Sequence, residues 1–159
     1  MLSVVFVCLG NICRSPTAEG IFLSMTAKNG LSDSIYVDSA GTGGWHIGEL
    51  ADPRSREEAQ RRGVELPSRS RQFRSEDFDQ FDLIIAMDRS NLRNILRLAR
   101  TESDRSRVHL LRDFDPSASP GSEVPDPYYG GPRGFPDVYD ICERACQGLL
   151  EHCRSRLAD

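Results

Sequence analysis

Cys8 and Arg14 stand six positions apart, with Leu9, Gly10, Asn11, Ile12 and Cys13 between them and Ser15-Pro16 after. A thiolate is a strong nucleophile, and a guanidinium offers two parallel donors to a pair of oxygens. If the segment curls around one tetrahedral oxyanion, the Cys8 sulfur forms the floor. The N–H groups of Leu9, Gly10, Asn11, Ile12, Cys13 and Arg14 form the rim. So many donors hold Cys8 in its thiolate form, and a thiolate aimed at phosphorus performs covalent phosphoryl transfer. Gly10 and Asn11 suit the positive φ angles that such a curl needs. Ser15 has two readings, as a helix cap or as a hydroxyl donor to the thiolate.

Two elements must hold that segment. Leu2 to Val7 is an apolar run that reads as a buried strand. Ala18, Ile21, Phe22 and Met25 recur at helical spacing, so a helix is expected from Pro16 to about Lys28, with Pro16 in its first turn and Gly30 after its end. Strand, tight loop and helix start make an anion site, to which the helix dipole adds about half a positive charge.

A second chemical candidate lies far along the chain. Residues Asp113 to Pro136 hold six of the nine prolines and four glycines. A loop that long and stiff inside a compact domain is usually functional or disordered. Near its middle is Asp126-Pro127-Tyr128-Tyr129. A leaving oxygen needs a proton, and a carboxyl on a rigid loop can deliver it. The residue before proline is held extended, which fixes where Asp126 points. Tyr128 and Tyr129 could flank a phenyl ring by stacking. Taken alone, the segment reads as an ordinary Asp-Pro turn with surface tyrosines; its pairing with the Cys8 loop turns the reading toward a site.

The rest of the chain supplies a sheet and its helices. Ile35 to Asp38 reads as a second strand, after which Asp38 to Thr42 turns the chain. Asp52-Pro53 opens a helix that runs to about Arg62 and stops at Gly63. Ser75 to Phe78 is a short capped turn, Phe81 to Met87 a third strand, and Asp88 the cap of a helix carrying Leu92, Ile95, Leu96 and Ala99. Arg107 to Leu111 is a fourth strand. After Pro136, apolar residues from Val138 to Leu157 follow spacings of three and four, an amphipathic helix whose Cys142, Cys146 and Cys153 read as core residues rather than metal ligands. Strands alternating with helices indicate one α/β domain over residues 1–159, a doubly wound four-stranded parallel sheet of flavodoxin-like type.

Composition narrows the class. The chain has 159 residues, 38% hydrophobic and 28% charged, enough for one domain with a substantial core. No run approaches the ~20 apolar residues of a membrane span. Five cysteines, an odd number in no disulfide-framework spacing, fit a reducing cytoplasmic setting. The net charge of −4 argues against nucleic acid. Yet seven arginines fall between Arg54 and Arg74, either a solvated face or a patch that steers a phosphorylated partner. Trp45, in a glycine-rich stretch, is either a satellite core residue or part of a binding surface.

Cys8-Leu9-Gly10-Asn11-Ile12-Cys13-Arg14-Ser15-Pro16 resembles the phosphate-binding loop of the low-molecular-weight protein tyrosine phosphatases, and Asp126-Pro127-Tyr128-Tyr129 resembles that family's second signature. The likeness spans essentially the whole chain. It implies hydrolysis of phosphotyrosine on proteins, with a cysteinyl-phosphate at Cys8, Asp126 as general acid, and no metal or other cofactor. It implies inhibition by phosphate or vanadate. It implies that Ser39 supports Asn11 and that Trp45 lines the substrate entrance. It also favours a redox role for Cys13 as the partner of an oxidised Cys8, over simple packing beneath the loop. One departure stands out: Ser68 occupies a place where the family often has histidine. A thioredoxin-coupled arsenate reductase would need two further cysteines near the third strand, and Phe81 to Arg100 has none. A non-catalytic phosphotyrosine-binding module would not need Cys8, Arg14 and Asp126 together. The absence of Gly-x4-Gly-Lys removes a P-loop nucleotide binder.

Overall fold

The computed structural model describes residues 1–159, apart from the side chain of Tyr129. In chain order the elements are β1 (Leu2–Cys8), α1 (Arg14–Lys28), β2 (Ile35–Gly41), α2 (Pro53–Arg61), α3 (Asp77–Gln80), β3 (Leu83–Ala86), α4 (Arg89–Leu96), α5 (Glu102–Ser106), β4 (Val108–Leu110) and α6 (Gly134–Ala158). Short 3₁₀ turns cover Leu111–Phe114, Pro127–Tyr129 and Gly131–Arg133. The four strands form one parallel sheet in the order β2-β1-β3-β4.

β1 is apolar throughout because it is central and covered on both faces. Its alternation assigns the faces. Val4, Phe6 and Cys8 join a core cluster with α1 and α6, while Val5 and Val7 join a second cluster with Phe73, Phe78 and Ile95. β3 divides the same way, Leu83 and Ile85 to the first cluster, Ile84 and Ala86 to the second. The strand order reverses direction at β1, and ligands of such sheets bind at the carboxyl ends of the strands there. The loop from Leu9 to Cys13 leaves β1 at that point.

Several boundaries differ from the sequence expectation. β2 does not turn at Asp38; pairing with β1 continues through Phe6 with Ser39 and Cys8 with Gly41. The third strand is only Leu83–Ala86, and the fourth stops at Leu110, where a 3₁₀ turn begins. α5 was absent from the periodicity; Thr101 caps it by accepting the Asp104 N–H at 3.1 Å. α1 begins at Arg14, two residues before Pro16, and α6 at Gly134, two before Pro136; both prolines sit in a first turn, where a missing N–H costs nothing.

α6 covers the sheet with Val138, Tyr139, Cys142, Ala145, Cys146, Leu149, Leu150 and Cys153, all buried. Burial pushes the Cys142 and Cys153 thiols up to about 12. At Gly148 the helix backbone passes directly over the 3₁₀ turn, so that an added Cβ would stand 1.8 Å from the Phe114 carbonyl oxygen. Alanine at an unconstrained mid-helix glycine gains about 1 kcal/mol. Gly148→Ala is instead expected to lose about 1–3 kcal/mol, because backbone must move to admit the methyl. Urea midpoints of the two proteins decide the sign.

Candidate active site

The loop is held by its carbonyls. Cys8 C=O accepts from Thr42 N–H at 2.9 Å, Leu9 C=O from Gly43 N–H at 2.9 Å, and Ile12 C=O from Asp52 N–H at 2.7 Å. Gly10 C=O accepts from Ser70 Oγ at 3.1 Å, and Cys13 C=O from Thr17 Oγ1 at 2.7 Å. With these carbonyls engaged outside the curl, the N–H groups of Leu9 to Cys13 make no hydrogen bond among the described residues. That is the anion-binding concavity of a backbone nest at a helix start. Gly41 lets β2 come this close, since a Cβ there would lie 2.8 Å from the Leu9 carbonyl oxygen. Gly10 does not adopt positive φ; Asn11 alone does so in the loop, at 57°.

Asn11 is buried with both ends of its amide occupied. Its Nδ2 donates to Ser15 Oγ at 2.8 Å and Ser39 Oγ at 3.0 Å, and its Oδ1 accepts the Arg71 N–H at 3.0 Å. Ser15 makes no cap; its Oγ lies 3.0 Å from Cys8 Sγ, so the two ends of the loop meet. Behind Ser39 is a buried carboxyl, Glu19, whose Oε1 accepts from Ser39 Oγ at 2.7 Å and from Ser68 Oγ at 2.6 Å. Ser68 therefore reaches the loop only through Glu19 and Ser39. Burial raises the Glu19 carboxyl above its ordinary range, and the two hydroxyls offset only part of that.

Arg14 lines the cavity above the loop and is 4% exposed, which requires a partner. Its Nη1 donates to Asp88 Oδ2 at 2.6 Å and to the Val124 carbonyl at 3.1 Å. Burial alone would lower its pKa, but Cys8, Asp88 and Asp126 outweigh that and hold it raised. Asp88 also caps α4 through the Asn91 N–H at 2.7 Å. Val124 in turn donates its N–H to the Met87 carbonyl at 2.8 Å, which fastens the proline-rich segment to the end of β3. Two residues on, Asp126 is extended (φ −77°, ψ 115°) and accepts the Tyr128 N–H at 3.0 Å.

Leu9, Gly10, Ile12, Cys13, Arg14, Trp45, His46, Asp126 and Tyr128 enclose one cavity of about 200 Å³. Trp45 (73% exposed) and Tyr128 (57% exposed) stand at its mouth. The side chain of Tyr129 lies outside the described residues. Cys13 shares the cavity, and burial, then Asp52 and Cys8, push its thiol up to about 12.

Five contributors escaped the sequence reading. His46 lines the cavity, yet no spacing relates it to the loop. Glu19 is hidden in a helix whose apolar periodicity gave it no special place. Asp88 was legible as a cap but not as the partner of Arg14. Asp52 and Arg54 form the last pair: Asp52, buried, binds the Arg54 guanidinium through both oxygens at 3.1 and 3.0 Å. That guanidinium lies between the rings of Tyr128 and Phe135, 4.9 and 4.7 Å from their centroids. Since Asp52 N–H also holds Ile12, the loop and the Asp126 segment are braced against each other.

The family model described as Low molecular weight phosphotyrosine protein phosphatase matches residues 3–158. A Low molecular weight protein-tyrosine-phosphatase of Streptomyces coelicolor is 46% identical over 155 residues, 97% of this chain and 94% of that protein. A Low molecular weight phosphotyrosine protein phosphatase of Homo sapiens is 41% identical over 150 residues, 94% of each. Among solved structures, YfkJ from Bacillus subtilis superposes with a TM-score of 0.91 at 41% identity, covering 98% of this chain and 96% of that one.

The raised Glu19 carboxyl has a sign that can be measured. A carboxyl whose folded pKa lies above its unfolded value stabilises fully below the unfolded value, and that contribution is lost as pH rises through the folded one. Glu19→Gln, which cannot ionise, is expected to remove this slope. The stability difference, wild type minus variant, should fall as pH rises above the ordinary glutamate value of about 4. A difference constant across that range in urea titrations would show that Glu19 does not titrate on folding.

Proposed function

The chain belongs to the low molecular weight phosphotyrosine protein phosphatase family, and from that premise we propose how its residues divide the hydrolysis of phosphotyrosine among them. The observation that carries the reading is the single cavity into which Arg14 and Asp126 both project, with Trp45 and Tyr128 at the mouth. The loop N–H groups and Nε and Nη2 of Arg14 bind the phosphoryl oxygens, and the phenyl ring lies between Trp45 and Tyr128. Cys8 Sγ attacks phosphorus. The bond to the phenolic oxygen breaks as Asp126 gives that oxygen its proton. Asp126, now a carboxylate, takes a proton from the water that attacks the cysteinyl-phosphate, which releases phosphate and restores the Cys8 thiolate. The Ser15 hydroxyl, 3.0 Å from Sγ, stabilises that thiolate as it leaves. Phosphate and vanadate occupy the same nest and inhibit.

The natural partners are tyrosine-phosphorylated proteins, and a cytoplasmic setting is supported by five cysteines that are all free. No helix among the described residues is long and apolar enough to cross a membrane. Hydrolysis of a phosphotyrosine peptide against a phosphoserine peptide tests the reading, with Cys8→Ser as control. A site built for the length of a phenyl phosphate leaves the shorter phosphoserine out of reach of the Cys8 sulfur. Cys8→Ser should abolish turnover while still binding phosphate, and Arg14→Lys should be severely impaired because a point charge does not reproduce the fork. Asp126→Asn is expected to steepen the dependence of rate on leaving-group pKa. A dependence as shallow as wild type would remove Asp126 from the acid role.

The Cys13 thiol has no part in hydrolysis, and its place in the cavity supports a protective one. Peroxide takes two electrons from the Cys8 thiolate to give a sulfenic acid and hydroxide. The Cys13 thiol then displaces water from that sulfenic acid and closes a Cys8–Cys13 disulfide, which an external dithiol reduces. The Cys8 charge is one cause of the high Cys13 pKa, so oxidation of Cys8 itself makes Cys13 easier to deprotonate. After mild peroxide, wild type should regain full activity with reductant and peptide mapping should show the cross-link. Equal recovery by Cys13→Ser, with no cross-link in wild type, defeats the redox role.

A further inference from the structure

The arginines between Arg54 and Arg74 separate into kinds once folded. Arg54, Arg61, Arg62 and Arg71 pair with the carboxylates of Asp52, Glu58, Asp140, Asp38 and Asp77. Arg69 donates to the Gly48 carbonyl. Arg74 is exposed, and among the described residues its guanidinium has neither an ion pair nor a hydrogen bond; only its backbone is used, its N–H donating to the Asp77 carboxylate and its carbonyl accepting the Asp77 N–H. It stands over a groove of about 620 Å³ that is closed from the other side by Asn94 of α4 and by Arg97 and Leu98 just after it. The Arg97 guanidinium meets no carboxylate among the described residues, only Asn94 Oδ1 at 3.0 Å.

This groove adjoins the catalytic cavity, for Leu9 and Trp45 line both. Its apolar wall is uncovered: Leu9, Trp45 and Leu98 are 43%, 73% and 39% exposed. Exposed apolar surface gathered beside two unneutralised cations, at the mouth of a reaction cavity, is a docking surface rather than a solvated face. A peptide advances about 3.3 Å per residue, so side chains within a few positions of a seated phosphotyrosine reach it.

We propose that this groove binds the segment flanking the phosphotyrosine of a protein substrate, taking an apolar side chain against Leu9, Trp45 and Leu98 and a carboxylate between Arg74 and Arg97. The proposal rests on the phosphotyrosine reading of the neighbouring cavity. The chain carries −4 overall, so its long-range field does not draw acidic partners. The attraction is local, within a Debye length of about 8 Å. Glu76 lies on the same rim, which repels a second carboxylate and makes the groove selective for where the acid falls, not for total charge.

The test compares kcat/KM on phosphotyrosine peptides carrying glutamate, alanine or lysine at positions on either side of the phosphotyrosine, with p-nitrophenyl phosphate as the reference. Wild type should prefer glutamate over lysine at one or two of those positions, by roughly tenfold, through KM and less so at high salt. Neutralising either arginine, as in Arg74→Gln or Arg97→Gln, should cost about threefold on the acidic peptide. Arg74→Glu/Arg97→Glu together should reverse the preference, with p-nitrophenyl phosphate turnover unchanged. Equal kcat/KM for acidic and basic peptides in wild type overturns the groove and leaves the phosphatase reading standing. A loss in the double variant as large on p-nitrophenyl phosphate as on peptide also overturns it. A wild type that turns over p-nitrophenyl phosphate but no phosphotyrosine peptide overturns both.

Discussion

A backbone that turns consecutive N–H groups toward one anion must turn its carbonyls away, and each of those needs a donor. That constraint organises the molecule. The residues after β2 supply N–H groups to Cys8 and Leu9, Ser70 supplies a hydroxyl to Gly10, the start of α2 serves Ile12, and α1 itself serves Cys13. Asn11, at positive φ, ties the inside of the curl to Ser15 and Ser39 and so fixes the one strained residue from three sides. Four separate parts of the chain are bonded to the loop, and they meet at the carboxyl end of β1.

The charges near the loop follow the same economy. A buried guanidinium without a carboxylate would be costly, and Asp88 removes that cost while leaving one side of the Arg14 fork toward the cavity. Asp88 is itself fixed by its capping box, so the position of Arg14 descends from the start of α4. Glu19 is the contrasting case. It is buried with hydroxyl partners and, among the described residues, no cation in contact, so burial moves its pKa up instead.

Much of this was legible before any coordinates. The central strand announces itself by an unbroken apolar run, and the loop by residue types that are rarely found together for any other reason. The proline-rich segment around Asp126 could be placed at the site only because it resembles the family's second signature and pairs with the Cys8 loop. What stayed hidden depended on contacts between distant residues. Nothing in the sequence near Arg54 tells that it will lie between Tyr128 and Phe135, and nothing near Glu19 tells that two serines will meet there. The strand extension through Ser39 to Gly41 was missed because serine and glycine have low strand propensity; the pairing with β1 overrides it. α5 was missed because its five residues carry no apolar period and rest on a cap.

The brace from Ile12 through Asp52 and Arg54 to Tyr128 also sets an order of events during synthesis. Its far side is Phe135, in the first turn of α6, and Gly134 there packs so tightly that a Cβ would lie 2.7 Å from the Pro127 carbonyl oxygen. The Cys8 loop precedes α1, whereas the Asp126 segment comes just before α6. A nascent chain without α6 carries the thiol but has no floor on which to seat Asp126. The contacts that complete the site are among the longest-range in the chain, the kind that form late. Seating Asp126 beside the Cys8 loop therefore waits on the first turn of α6.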